Sequence, residues 1–185
     1  MFNNYHKKII EEIENTLNKI SDKDNKRLAE YISNSKSIFI AGAGRTGLIM
    51  KSFAIRLAQM GLKVFVVGEA ITPSIKSDNM LIIGSGSGQT ESLVAIARKA
   101  KKIGVKLALI TMSPDSPLAE LADVTVEIPV KISKLEVNDL KYSIQPMCNL
   151  FEQSLLIFLD SLSMSLIKIK KINIETLYQN HANLE

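Results

Sequence analysis

The sequence is poor in the residues that bind metals and form cross-links. It has one cysteine, Cys148, two histidines and no tryptophan. A single cysteine excludes a disulfide framework within the chain and a cysteine-based zinc site. His6 and His181 lie near opposite ends of the chain, so they form no cluster with metal-ligand spacing. We therefore expect neither a metal nor another cofactor.

Long apolar runs are also missing. The most apolar stretch, residues 154 to 167, is interrupted by Asp160 and three serines, which predicts that it is too short and too polar to span a bilayer. The first residues, MFNNYHKK, lack the apolar region of a signal peptide. We therefore expect a cytoplasmic protein that does not bind a membrane.

The sequence has no strong charge of one sign. Its net charge is +4, and the lysine clusters at residues 99–102 and 168–171 contain no interleaved aromatic residues. Clusters of this kind are typical of solvated helix faces. The mild positive charge suits a small anionic ligand, and we expect no nucleic-acid partner.

The sequence does contain the pattern of an α/β protein. A chain of 185 residues with 46% hydrophobic residues can bury one full core. Apolar segments predict five strands, near residues 37–41, 63–67, 80–83, 106–111 and 124–128. These strands alternate with helical segments and lack a clean apolar–polar alternation. That pattern indicates a parallel sheet covered by helices on both faces.

The order of these segments predicts a single domain over residues 1–185. Two amphipathic helices in residues 1–35 precede a sheet core in residues 36–128. The polar residues 129–143 predict a loop, and residues 144–185 contain the C-terminal helices and tail. A long apolar helix is predicted at about residues 144–169.

Two glycine-rich turns directly follow predicted strands. The first turn, residues 42–47, reads GAGRTG, and the second turn, residues 84–90, reads GSGSGQT. In open parallel sheets, ligands bind beyond the carboxyl ends of the strands, near the point where the strand order reverses. Both turns can therefore face the same crevice.

The first turn matches the dinucleotide-binding fingerprint, and Glu69 follows the second strand at about the distance expected for its acidic residue. A lone fingerprint also occurs wherever a tight turn leads into a helix, and Arg45 can instead pair with a small anion. Dinucleotide binding therefore stays open as an alternative. A Walker nucleotide loop is excluded, because Leu48 and Ile49 stand where it requires lysine and serine or threonine.

The second turn is richer in hydroxyl groups. Ser85, Ser87 and Thr90 supply three hydroxyls, and Gly86 and Gly88 let the backbone N–H groups approach a ligand closely. The turn leads into the N-terminus of a predicted helix, which favours an anion. This combination predicts a phosphate site. The alternative is a glycine-rich turn in which a serine only caps the helix.

One carboxylate lies on the long apolar helix among apolar neighbours. Cys148 and Leu156 share the helical face of Glu152. We expect partial burial to raise the pKa of Glu152 towards a value useful for a general base. A structural glutamate paired with an arginine or lysine across a helix contact is an equal alternative from the residues alone. Asp160 is a weaker candidate for the base.

The motifs resemble those of a known family over nearly the whole chain. SGSGQTES resembles the phosphate-binding loop of the sugar isomerase (SIS) domain. AGAGRTGLIMKSFAIRLAQMGLKVFVVGEAITPS, SIQPMCNLFEQ and the terminal HANLE resemble the 6-phospho-3-hexuloisomerase family. The resemblance implies a flavodoxin-like five-stranded sheet and isomerisation of arabino-hex-3-ulose 6-phosphate to fructose 6-phosphate in the ribulose monophosphate pathway. It also implies a homotetramer with active sites at subunit contacts.

The resemblance also implies roles for single residues. It implies binding of the substrate or its phosphate by Gly44, Arg45, Ser85, Ser87 and Thr90, and catalytic roles for Glu152 as base and for His181. From its position alone, His181 would be dismissed as part of a frayed terminus.

Two other functions stay open. SIS domains also occur in transcription regulators, so a non-catalytic sugar-phosphate sensor is one alternative, although only about thirty-five residues precede the first predicted strand. An isomerase acting on another sugar phosphate is the other.

Overall fold

The structure is a computed structural model that describes residues 4–130 and 143–184. Most of the predicted loop at residues 129–143 lies outside the described residues. The helices are α1 (Tyr5–Leu17), α2 (Asp22–Asn34), α3 (Gly44–Gln59), α4 (Glu91–Ile103), α5 (Pro117–Leu121), α6 (Asn149–Ile169) and α7 (Ile174–Gln179). The strands are β1 (Ile38–Gly42), β2 (Val64–Val66), β3 (Met80–Gly84), β4 (Lys106–Thr111) and β5 (Val124–Glu127).

The five strands form one parallel sheet in the order β2-β1-β3-β4-β5. The prediction of a single-domain α/β fold with a five-stranded parallel sheet is confirmed. The chain leaves β1 for β2 on one side and then returns to β3 on the other side, so the strand order reverses between β1 and β3. Gly42 is in register with Gly84. The first and second turns therefore leave neighbouring strands at the same level, at the switch point where ligands bind in such sheets.

Helices cover both faces of the sheet. Side chains of alternate strand residues point to opposite faces. Ile40 and Ile82 belong to the hydrophobic cluster that includes buried residues of α2, α3 and α6. Leu81 and Ile83 belong to the cluster on the other face, with buried residues of α4 and α5. These two cores fix the strands, and hence the turns that follow them.

The long helix α6 begins at Asn149, whereas the sequence pattern predicted about residue 144. Residues 144–148 instead form a non-helical segment that contains Pro146 and, at Met147, a positive φ of 54°. A left-handed residue cannot continue a right-handed helix, and the residue before a proline disfavours the helical region. The apolar pattern therefore extends five residues beyond the helix itself.

The expectation that this segment is too short and too polar to cross a membrane is wrong for α6 as a whole. The helix has 21 residues, and its most apolar window has a mean hydropathy of 1.4, which is enough by length and composition. However, 56% of that window is buried inside the protein. Leu155, Phe158 and Leu162 lie in the hydrophobic core, so α6 is packed as a core helix.

The short helix α7 was not predicted. Asn173 caps it, since the Asn173 side-chain oxygen accepts a hydrogen bond from the Glu175 N–H at 3.2 Å. The Asn180 side-chain amide then donates to the Gln59 carbonyl at 3.1 Å. The C-terminal tail is therefore attached to the C-terminal end of α3.

Candidate active site

A cavity of about 170 Å³ opens at the switch point of the sheet. It is lined by the second turn, by the start of α3 and by the start of α6, through Ala43, Thr46, Gly84, Ser85, Gly86, Ser87, Thr90, Leu93, Cys148 and Glu152. Three of the predicted phosphate-binding residues and the predicted base thus share one cavity. No helix or strand supplies more than a few of these groups, so the fold as a whole brings them together.

The hydroxyl groups of the second turn are oriented by the turn's own backbone. Ser85 Oγ accepts a hydrogen bond from the Gly88 N–H, and Ser87 Oγ accepts one from the Gln89 N–H, both at 3.2 Å. A serine hydroxyl that accepts such a bond keeps its own proton for donation to a ligand. Thr90 is the N-cap of α4, but its side chain makes no capping hydrogen bond. All three hydroxyls can therefore donate to an anion.

The second turn is held from below by the segment after β4. Gly88 has a φ of +63°, and a Cβ at this position would lie 1.9 Å from Ser116 Oγ. The Gly88 carbonyl accepts from the Leu118 N–H at 3.1 Å, and the Gly86 carbonyl accepts from Thr111 Oγ1 at 3.0 Å. Only glycine fits at residue 88, both for its backbone conformation and for its contact with Ser116. The turn is consequently preorganised rather than free.

The glycines of the first turn have another physical cause. A Cβ on Gly47 would lie 2.7 Å from the Gly42 carbonyl oxygen, and a Cβ on Gly42 would lie 2.9 Å from the Gly47 Cα. These two glycines let β1 and α3 approach each other, which accounts for their spacing without a ligand. Glu69, the acid considered for dinucleotide binding, pairs with Lys51 at 2.6 Å.

Glu152 is buried, and its Oε2 accepts a hydrogen bond from Arg45 Nε at 2.6 Å. The pair matches the alternative of a structural glutamate bound to an arginine across a helix contact, because it joins the starts of α3 and α6. Two features also fit a base. Glu152 lines the cavity, and among the described residues no hydrogen bond reaches its second oxygen, Oε1. Arg45 stabilises the ionised carboxylate, which is the form a base needs.

Cys148 stands one helical turn before Glu152 and also lines the cavity. Burial raises the pKa of the Cys148 thiol, and the nearby negative charge of Glu152 raises it further. Thr46 lines the cavity as well, although its role was not predicted. Its buried position on the first turn of α3, directly after the glycine-rich turn, was the signal available in the sequence.

Other predicted residues lie outside the cavity lining. A Cβ on Gly44 would meet no neighbouring atom within 4 Å, and Arg45 reaches the cavity only through Glu152. Asp160 is exposed on α6, about two turns beyond Glu152. His181 follows Asn180 at the C-terminal end of α3, about 20 Å along that helix from Arg45. Its Nδ1 lies 2.8 Å from the Ala182 carbonyl oxygen. One chain therefore does not bring His181 to its own cavity.

Metal-ligating residues do not cluster in the described part of the chain. Within residues 4–130 and 143–184, no group of three or more histidine, cysteine, aspartate or glutamate residues is arranged to hold a metal ion. The groups that the cavity offers to a ligand are hydroxyls, backbone N–H groups and one carboxylate.

Comparisons with known proteins agree with this arrangement. The SIS domain family matches residues 31–161. The chain is 42% identical to the 3-hexulose-6-phosphate isomerase of Bacillus subtilis, over 98% of this chain and 97% of that protein. It is 36% identical to the enzyme of the same name from Methylomonas aminofaciens, over 99% of each chain.

A solved structure gives the same result. It belongs to a Methanococcus jannaschii protein for which a 3-hexulose-6-phosphate isomerase function has been inferred from its crystal structure. The two folds agree with a TM-score of 0.85 at 34% identity, over 99% of this chain and 100% of that chain.

Proposed function

Because the chain belongs to the SIS domain family and, within it, to the 3-hexulose-6-phosphate isomerases, we propose that it converts arabino-hex-3-ulose 6-phosphate to fructose 6-phosphate. The observation that carries this proposal is the presence of a hydroxyl-rich anion site and a buried carboxylate in one cavity. The enzyme acts in the cytoplasm as a step of the ribulose monophosphate pathway.

The phosphate of the substrate binds at the second turn. Ser85, Ser87 and Thr90 donate hydroxyl protons, and the N-terminus of α4 adds backbone N–H groups and a favourable dipole. The hydrogen bonds within the turn support this role, since they orient Ser85 and Ser87 before the ligand arrives. Little free energy is then lost in ordering the site on binding.

Glu152 is the shared acid and base of the isomerisation. Its carboxylate removes the proton from C2 of the 3-ketose, which leaves a 2,3-enediolate, and the same proton or one from solvent returns to C3. The carbonyl group thereby moves from C3 to C2, with no net change in atoms or electrons. The unused Oε1 of Glu152 supports this assignment, because Arg45 occupies only Oε2 among the described residues.

Arg45 contributes through its charge. Its side chain is 66% exposed, whereas that of Glu152 is only 10% exposed, so the guanidinium stands on the solvent side of the pair. In this position Arg45 keeps Glu152 ionised and offers its remaining N–H groups to the substrate, either to the phosphate or to the oxygen that becomes negative in the enediolate. Gly44 lets the backbone turn into α3 beside the ligand, with a φ of +56°.

The functional enzyme is a homotetramer, and His181 acts in the active site of a neighbouring subunit. The distance of His181 from the cavity of its own chain supports this assignment, as do apolar side chains exposed on α3 and α6. These side chains are Leu48, Ile55, Leu156, Ile157 and Met164. Light scattering at the assay concentration should give a tetramer, and a monomer would contradict the proposal.

Deletion of residues 180–185 tests the role of the tail. The described contact that is lost is the exposed hydrogen bond from Asn180 to Gln59, so the free energy of unfolding should fall by no more than about 1 kcal/mol. Activity should fall far more. A loss of activity no larger than the loss of stability explains would make the tail structural only.

The direct test of the activity is an assay with the 3-ketohexose phosphate, made in situ by the synthase that joins formaldehyde to ribulose 5-phosphate. The purified protein should produce fructose 6-phosphate. Turnover should persist in the presence of a chelator, because transfer of a proton by one carboxylate needs no metal. Binding of the sugar phosphate without turnover would indicate a sensor instead.

A further inference from the structure

A second carboxylate, Glu12 of α1, contacts the segment that leads into α6. Glu12 Oε1 accepts a hydrogen bond from the Ile144 N–H at 2.8 Å. Glu12 Oε2 accepts from Ser143 Oγ at 2.8 Å and from Gln145 Nε2 at 2.9 Å. One side chain thus satisfies donors of three consecutive residues. We call these four residues the Glu12 bridge.

The charge of Glu12 matters for these contacts. Among residues 4–130 and 143–184, no lysine or arginine pairs with Glu12, so the carboxylate is stabilised by neutral donors. Hydrogen bonds to a charged group are roughly twice as strong as those between neutral groups. Ser143 Oγ also accepts from the Gln145 N–H at 3.0 Å, which joins the donors to each other.

The Glu12 bridge stands immediately before a strained turn. Met147 has a φ of +54°, a conformation that is unfavourable for a residue with a side chain. Such a residue persists only where its surroundings restrain the backbone on both sides. On one side α6 provides the restraint, because the Glu152 N–H donates to the Cys148 carbonyl at 2.9 Å. On the other side the described restraint is the bridge to α1.

The strained turn carries residues of the cavity. Cys148 follows Met147 directly, and Glu152 lies in the first turn of α6. A shift of this turn would move Glu152 relative to the second turn, which is anchored on β3, β4 and α5 instead. We propose that Glu12 is a positioning residue, which holds the start of α6 so that Glu152 keeps its place in the cavity. The catalytic part of this inference rests on the proposed function.

The matched variants are Glu12→Gln and Glu11→Gln. Both remove one negative charge from α1, but Glu11 is exposed and makes no contact with residues 143–145. A glutamine at residue 12 faces three donors with only one acceptor oxygen, so at least one hydrogen bond is lost. We expect kcat of Glu12→Gln to fall about 10- to 100-fold, because a misplacement of about 1 Å can cost about 100-fold. KM should change little, since the second turn is untouched.

Cys148 gives a readout that needs no turnover, because it is the chain's single cysteine. In the unchanged protein the half-buried thiol should react slowly with iodoacetamide, since its pKa is raised by burial. Glu12→Gln should be labelled several-fold faster, and Glu11→Gln should not. Local opening is recognised by a labelling rate that depends little on low concentrations of urea, whereas global unfolding depends on urea steeply.

The outcomes separate this inference from the proposed function. Faster local labelling together with a lower kcat and an unchanged KM is the expected result. If Glu12→Gln is labelled no faster than Glu11→Gln, or only loses stability at unchanged kcat, the inference is wrong. If the unchanged protein has no isomerase activity, the proposed function fails, while the labelling result still tests the bridge. Should Glu12→Gln not fold, Ser143→Ala removes a single donor, and it must also accelerate labelling.

Discussion

The first turn, residues 42–47, and the second turn, residues 84–90, leave neighbouring strands at the same level, since Gly42 is in register with Gly84. In the first turn, Gly42 and Gly47 pack against each other's backbone. In the second turn, the backbone leaves three hydroxyls directed at a cavity. Glycine spacing therefore reports how closely a strand and a helix approach, whereas the hydroxyls beside the glycines indicate which turn binds an anion.

The largest difference between the turns is expected for Gly88→Ala and Gly44→Ala. Both glycines have a positive φ, but only Gly88 is crowded, because its Cβ would lie 1.9 Å from Ser116 Oγ. Left-handed strain costs about 1–2 kcal/mol, and crowding a packed site adds about 1–3 kcal/mol. Urea unfolding should show the larger loss for Gly88→Ala, together with loss of sugar-phosphate binding. Equal losses in the two variants would contradict the account of the second turn.

Ser87→Ala tests the hydroxyls of the second turn without disturbing its backbone. The variant loses one hydrogen bond to a charged phosphate, worth about 1.5–3 kcal/mol, so the affinity for fructose 6-phosphate should fall more than tenfold. Calorimetric titration measures the change. Ser92→Ala, an exposed serine on α4 outside the cavity lining, is the control and should bind normally. If both variants bind equally well, the phosphate lies elsewhere.

Arg45→Gln tests what the first turn contributes. Removing one member of a fully buried pair can cost about 3–5 kcal/mol, but the Arg45 side chain is 66% exposed, so water can replace much of its contact. We expect the free energy of unfolding to fall by no more than about 1 kcal/mol. Turnover should fall about tenfold, because the substrate and Glu152 lose a nearby positive charge. A large loss of stability at unchanged kcat would make the pair structural.

Much of the sheet was predictable from the sequence, because its strands are buried on both faces and read as apolar runs. The prediction for β4 matches its bounds, Lys106–Thr111, and the hydroxyl-rich turn after β3 indicated the phosphate site before any contact was known. The start of α6 was not predictable in this way. Apolar residues continue through residues 144–148, and the helix is prevented there by backbone conformation and by contacts with α1.

Contacts between distant parts of the chain were also beyond the sequence pattern. Arg45 and Glu152 are 107 positions apart, and only the packing of α3 on α6 brings them within 2.6 Å. The same holds for Ser116 beneath Gly88 and for Glu12 beside Ser143. Periodicity predicts which face of an element is buried, but it carries no information about which partner that face meets.

The central claim is that the two turns deliver a bound sugar phosphate to one base, Glu152. Glu152→Gln keeps the size of the side chain and removes the base, so turnover should fall about 10²–10⁴-fold while fructose 6-phosphate still binds. Asp160→Asn makes the same chemical change at an exposed position of α6 and should retain its activity. The decisive measurement is the turnover of Glu152→Gln at saturating substrate. A large loss with intact binding is the predicted result, and near-normal turnover would contradict the account.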